Sequence, residues 1–334
     1  MPDPLLYLKS IAAATVTSLL ILAVCFPRRS ATPTKVNLVS VVAIGVALAA
    51  GLSVMSIQWV WPPAGGLDRL LLIVIPVVLG VESISSYCPT DRWWAWLLRI
   101  AAVLMTPRVL LHQSIYLGET DQWTTWQRFM TLGICVIVLA AAWFLLSKLA
   151  GHRSGFSIPL ALCLALLCAG ATVMMGGYIK GGAVALPIVG TLIAALSVMW
   201  FMQRRMINSP IALPPVILAV GLVSLFGILF IGHFFGRVSS DHAAIVFLAP
   251  LLCWFSEMPR LRKLSPRMTG VVRLSLVSIP LVFVFVQAKH DFDEKFSPLV
   301  MDQSTNDVSG NHGFAVTVVD HIESLQSFVP KRSR

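Results

Sequence analysis

Charge is what this sequence has least of. Asp, Glu, Lys and Arg make up 12% of its 334 residues, against roughly 25% in ordinary soluble domains. Hydrophobic residues make up 57%, and the mean hydropathy is +0.83. That balance excludes a soluble globular enzyme, a disordered chain and a nucleic-acid-binding protein. Paired cysteine motifs are missing too. The six cysteines, Cys25, Cys88, Cys135, Cys163, Cys168 and Cys253, include no Cys-x-x-Cys, so the sequence implies neither a disulfide framework nor a zinc site. Five lie within or at the ends of apolar runs and read as small packing residues. There is no His-Glu-x-x-His, no phosphate-binding Walker loop and no Gly-x-Ser-x-Gly elbow. No cofactor and no metal is implied.

What the sequence does have is long apolar runs. A helix needs about 20 apolar residues to cross roughly 30 Å of hydrocarbon. Ten runs qualify as candidates: 5–26, 36–56, 70–87, 93–114, 129–147, 155–175, 182–202, 211–232, 242–257 and 270–288. They are too long and too evenly apolar for barrel strands, which alternate over about ten residues. The expected fold is therefore an all-α polytopic membrane bundle of about ten transmembrane helices, occupying residues 1–288. The first run carries Arg28-Arg29 after its apolar stretch rather than before it. A secretory leader has the opposite order, so this run reads as a retained span.

The net charge of +10 has a membrane explanation. Lys and Arg collect in cytoplasmic loops. Alternate loops (27–35, 88–92, 148–154, 203–210 and 258–269) hold twelve basic residues and one acid, Asp91. The remaining loops hold four basic residues and five acids. Both termini are then expected outside, and a bacterial inner membrane is the expected location. Trp59, Trp61, Trp93, Trp94, Trp96, Trp123, Trp126, Trp200 and Trp254 fall near span ends, where indole rings favour the interface. Ten spans with both ends on one side also allow two inverted five-span halves, as in many transporters. The fourth span opens with Thr90-Asp91-Arg92 and the ninth with Ser240-Asp241-His242. That echo has an ordinary reading as two helix caps. Residues 289–334 form a polar outside tail, expected as a linker plus a short amphipathic helix built on Val318, Ile322, Leu325 and Val329.

Ionisable groups inside spans are costly and usually face the bundle interior. Lys9 and Arg273 lie near span ends, where long side chains can reach the interface. Glu82 does not. It is the one acid well inside an apolar run, about five residues before an inside loop, and Arg99 lies about seven residues after that loop. At 1.5 Å per residue both sit roughly 7–10 Å below it. An ion pair between the third and fourth spans is expected, either static or on a substrate or ion pathway. Arg108 and His112, four residues apart, share a face of the fourth span towards the outside. His233, Arg237, Asp241 and His242 form a second outer-face polar cluster, suited to an anionic group. Gly176-Gly177 and Gly181-Gly182 read as a tight hairpin around Lys180.

These features fit three functions. The first is a secondary transporter or permease for a small solute, supported by Pro76, Pro107, Pro187, Pro250 and Pro280 as helix breakers. The second is a membrane-embedded transferase acting on a lipid-linked substrate at the outer face. The third is a non-catalytic scaffold. The partners expected are the lipid bilayer and a small-molecule or lipid-linked substrate; nucleic acid is excluded, and no protein partner is named by the residues.

Overall fold

The fold was obtained as a computed structural model. It describes residues 4–25, 32–55, 61–63, 65–87, 92–112, 124–152, 156–205, 213–257 and 266–306. Among these every regular element is helical, with no strand. The order is α1 (Pro4–Cys25), α2 (Pro33–Val54), α3 (Gly66–Arg69), a π-helical turn Leu70–Val74, α4 (Ile75–Tyr87), α5 (Arg92–Leu110), α6 (Thr125–His152) and α7 (Ser157–Met175). Then follow α8 (Ile179–Ala183), α9 (Ala185–Arg205), α10 (Pro215–Phe234), α11 (Ser240–Leu248), a 3-10 stretch Ala249–Glu257 and α12 (Pro266–Asn306). With the interrupted elements joined, these match the ten expected runs one for one, and the chain is an integral membrane helix bundle.

Eight of the ten stretches are long and apolar enough to cross a membrane. The exceptions are instructive. α5 has 19 residues but carries Arg92, Arg99 and Arg108. The ninth stretch has nine α-helical and nine 3-10 residues. A 3-10 helix rises about 2.0 Å per residue against 1.5 Å in an α-helix, so the stretch still reaches roughly 31 Å.

Packing centres on α10, in which every residue from Val216 to Gly232 is buried. Around it, other helices approach through small residues. α1 buries Ser10, Ala14 and Ser18 along one stripe, and Ser10 Oγ donates to the Gly51 carbonyl of α2 at 2.7 Å. A Cβ on Gly51 would meet Ala14 at 2.8 Å and Pro187 of α9 at 2.9 Å. Between α7 and α8, a Cβ on Gly182 would lie 2.3 Å from the Gly170 carbonyl oxygen. Such contacts drive association where lipid is as apolar as the side chains. The hairpin expected around Lys180 is present, with Gly177 at φ +89°.

The five prolines behave in two ways. Pro76 follows the π-turn, where the Ile75 amide donates to Leu70; the wider turn relieves the clash between the proline ring and the preceding carbonyl. Pro187 lies in the first turn of α9, where no amide donor is needed. Pro250 lies at the switch to 3-10. Pro107 and Pro280 break nothing: α5 ends three residues after the first, and α12 runs through the second.

α12 buries Thr269, Arg273, Val277, Leu281, Val284 and Ala288 at helical spacing, while Val271, Ile279, Val282 and Val286 stay exposed. It continues to Asn306, so residues 289–306 are helical where a linker was expected. By internal contacts the chain divides into Met1–Lys289 and His290–Arg334. The expected amphipathic helix at Val318–Val329 lies outside the described residues, as do six of the twelve basic loop residues. Trp61, Trp93, Trp94, Trp126 and Trp200 are exposed, whereas Trp143, in mid-span, is buried. The five described cysteines are free thiols.

Overpacking a filled helix crossing costs about 1–3 kcal/mol, sometimes more. Gly182→Val is therefore expected to lower the melting temperature in detergent by several degrees, and Gly133→Ala, with open space at its Cβ, to leave it unchanged. Equal melting temperatures for both variants would contradict the close-packing account.

Candidate functional site

The candidate site lies where α2, α4 and α5 meet. α4 presents Glu82 to α5, and the expected pair forms in two-pronged geometry: Arg99 Nε donates to Oε1 at 2.7 Å and Nη2 to Oε2 at 2.8 Å. Parallel charge-assisted bonds of this kind are the strongest that carboxylate and guanidinium make. The Glu82 side chain is fully buried and that of Arg99 is 14% exposed. The Arg99 guanidinium also lies 5.6 Å from the centre of the Trp96 ring.

Asn37 of α2, which was not singled out from the sequence, completes the site. It is 5% exposed. Its Nδ2 donates to the Glu82 carbonyl at 3.1 Å and also contacts Ser86 Oγ. Ser86 Oγ donates back to the same carbonyl at 2.7 Å. Asn37 Oδ1 and Ser85 Oγ are buried with no partner among the described residues. A buried acceptor without a donor costs about 1–3 kcal/mol.

Two other cations are buried. Arg69 is 4% exposed, and its Nη1 donates to the His112 carbonyl. The third stretch begins at Gly66 rather than at residue 70 because Asp68 caps it, accepting from the Gly65 amide at 3.2 Å; that Gly-x-x-Asp was the available signal. Arg273, expected to reach the interface, is instead 2% exposed. Its Nε donates to Ser256 Oγ at 2.6 Å and its Nη1 to Ser157 Oγ at 3.1 Å. Hydroxyls on the 3-10 stretch and α7 satisfy it in place, so it ties the start of α12 to the bundle. Lys9 is exposed, in keeping with its expected placement.

The outer polar residues do not all converge. Arg108 and His112 are exposed, and their side chains make no hydrogen bond or ion pair among the described residues. His233, Arg237, Asp241 and His242 occupy or flank the turn between α10 and α11. His233 Nδ1 bonds the Val238 carbonyl at 2.9 Å, and Nε2 lies 3.5 Å from Ser240 Oγ. His242 Nε2 pairs with Gln287 Oε1 of α12 at 3.0 Å. The Arg237 amide donates to the Gly176 carbonyl at 3.1 Å. Ser239 caps α11, accepting from the His242 amide at 3.3 Å, so the opening of the ninth stretch is an ordinary cap. Its proposed counterpart at Thr90-Asp91 lies outside the described residues. Nearby, burial and, secondarily, the Asp68 carboxylate push the Tyr178 hydroxyl above its ordinary pKa.

A further grouping, His290, Asp291 and Glu294, has ligand atoms within 4.8 Å of one another, but all three are exposed on one helical turn. No family model, curated protein or solved structure matches the chain.

Breaking a buried pair from one side costs about 3–5 kcal/mol, whereas replacing both partners by apolar groups is often neutral. Arg99→Met is expected to lower unfolding stability by about 3 kcal/mol or more. The double variant Glu82→Met/Arg99→Met should recover most of that loss in the same denaturation assay; additive losses would show that the two side chains do not depend on each other.

Proposed function

We propose that this protein is a secondary permease for a small solute, with Glu82 and Arg99 as its gate. The observation that supports this reading best is a two-pronged ion pair whose carboxylate is fully buried, on a residue whose backbone carbonyl is held by Asn37, a buried amide with an oxygen that has no donor among the described residues. Such a pair is a poor source of net stability, because desolvation offsets most of its attraction. Its physical merit is that it has two states. Closed, it joins α4 to α5 with every charge matched. Opened, each partner needs a replacement, which a proton on Glu82 or a solute carrying complementary groups provides. The interrupted third stretch adds to this reading, since the π-turn Leu70–Val74 lies on the same stretch as Glu82, and such turns are frequent at functional sites. Transporters likewise bind ligands at discontinuous helices.

The loop charges support a reading with both termini outside, in the inner membrane of a bacterium. Glu82→Gln keeps the size of the side chain and removes its charge. In reconstituted vesicles it is expected to abolish proton-coupled solute uptake while the protein stays monodisperse; unchanged coupling would discard the gate.

A second reading, a transferase for a lipid-linked substrate, is favoured by one observation. The Val238 carbonyl holds His233 at Nδ1, leaving Nε2 as an acceptor towards Ser240, the arrangement a general base requires. His233→Ala would then abolish turnover and leave uptake untouched, whereas the permease reading expects normal uptake and no turnover in either protein.

A further inference from the structure

The charges at the ion pair restrict the kind of solute that opens it. Closed, the pair is neutral: Arg99 Nε holds Glu82 Oε1 and Nη2 holds Oε2. α2, α4 and α5 carry no other acid, so a cation entering where they meet has Glu82 as its partner. A net charge inside a span is costly. A lone anion would neutralise Arg99 and leave the Glu82 carboxylate bare, and a lone cation would do the reverse. A solute with one group of each sign exchanges one ion pair for two, and the site stays neutral. An anion that brings a proton for Glu82 balances the charge as well. Charge-assisted bonds are roughly twice as strong as neutral ones, however, so the solute that keeps both side chains ionised loses least when the pair parts.

The two partners differ in reach. The Arg99 side chain is 14% exposed and that of Glu82 is fully buried, so the anionic end meets Arg99 first and the cationic end follows to Glu82. Arg99 also has a second seat. Its guanidinium lies 5.6 Å from the centre of the Trp96 ring, and that ring is backed by Phe144 of α6 at 5.5 Å. A cation–π contact of this kind keeps hold of a guanidinium displaced from its carboxylate. The two prongs that Glu82 occupies fit a second carboxylate in the same planar geometry.

We infer that the solute is a small zwitterion carrying a carboxylate and an ammonium group, an inference that rests on the permease reading. The carboxylate takes the two prongs of Arg99, and Glu82 accepts from the ammonium.

The test is the thermal stability of the full chain in detergent at neutral pH. The zwitterions are glycine, leucine, β-alanine and γ-aminobutyrate. Propionate supplies the anion alone, propylammonium the cation alone, and propionamide neither. At least one zwitterion is expected to stabilise wild type at a concentration about tenfold or more below that at which propionate or propylammonium acts, and to leave Glu82→Gln unmoved. The comparison of a zwitterion with its halves needs wild type only, so it stands if the variant does not fold. Propionate or propylammonium acting on wild type as well as any zwitterion, and not on Glu82→Gln, would overturn the zwitterion and keep the gate. A zwitterion that stabilises both proteins equally would overturn both. No stabilisation of wild type by any of the four zwitterions would overturn this inference, and the gate would then be judged on other solutes.

Discussion

Hydrocarbon supplies no hydrogen bonds, and each polar group taken into it must find its partner within the protein. The backbone meets this constraint by remaining helical through its apolar runs, even where proline removes a donor. It shifts to a π-turn before Pro76 and to a 3-10 helix at Pro250 rather than opening. The buried side chains meet it locally. Arg273 is held by hydroxyls from two other elements, Arg69 by a carbonyl, and Ser40, Thr106, Thr172 and Thr191 by carbonyls one turn earlier in their own helices. Glu82 is the acid that needs a cation, and α5 supplies one. Against that background Asn37 Oδ1, buried with no donor, is an exception with consequences.

Association of the helices follows from the same absence of water. With lipid on the outside, burying leucine gains little, so close contact decides which faces meet. α1, α2 and α9 approach through Ser10, Ala14, Gly51 and Pro187; α7 and α8 through Gly170 and Gly182. The wholly buried α10 sits among the others with no polar side chain in its middle but Ser224. α12 is held differently, by discrete polar ties at its start, middle and outer end: Arg273, the Leu281 carbonyl with Cys168, and Gln287 with His242.

Much of this was legible in the sequence. Long uniform apolar runs report helices directly, because a bilayer permits little else. The Glu82–Arg99 pair was legible because two charges at matched depth on consecutive spans have few other ways to be neutralised. Arg273 was misread because distance from a span end says nothing about which side of the helix a residue occupies; the Thr269-Arg273-Val277 stripe held that information. Asn37 was missed because a single amide in an apolar run looks harmless until its neighbours are known. The outer cluster is a related case. Proximity along the chain set His233 and His242 together, and each ring bonds a different element, the Val238 carbonyl and Gln287 of α12.

The central claim is that the Glu82–Arg99 pair opens for a ligand rather than serving only to join two helices. Ligand binding to a folded state raises its apparent stability as RT ln(1 + [L]/Kd). The direct measurement is a thermal-shift screen of purified wild type and Glu82→Gln against soluble metabolites and ions over a range of pH. The account predicts a soluble ligand that stabilises wild type and leaves Glu82→Gln unmoved. A ligand that shifts both proteins equally, or a full panel that shifts neither, would contradict it.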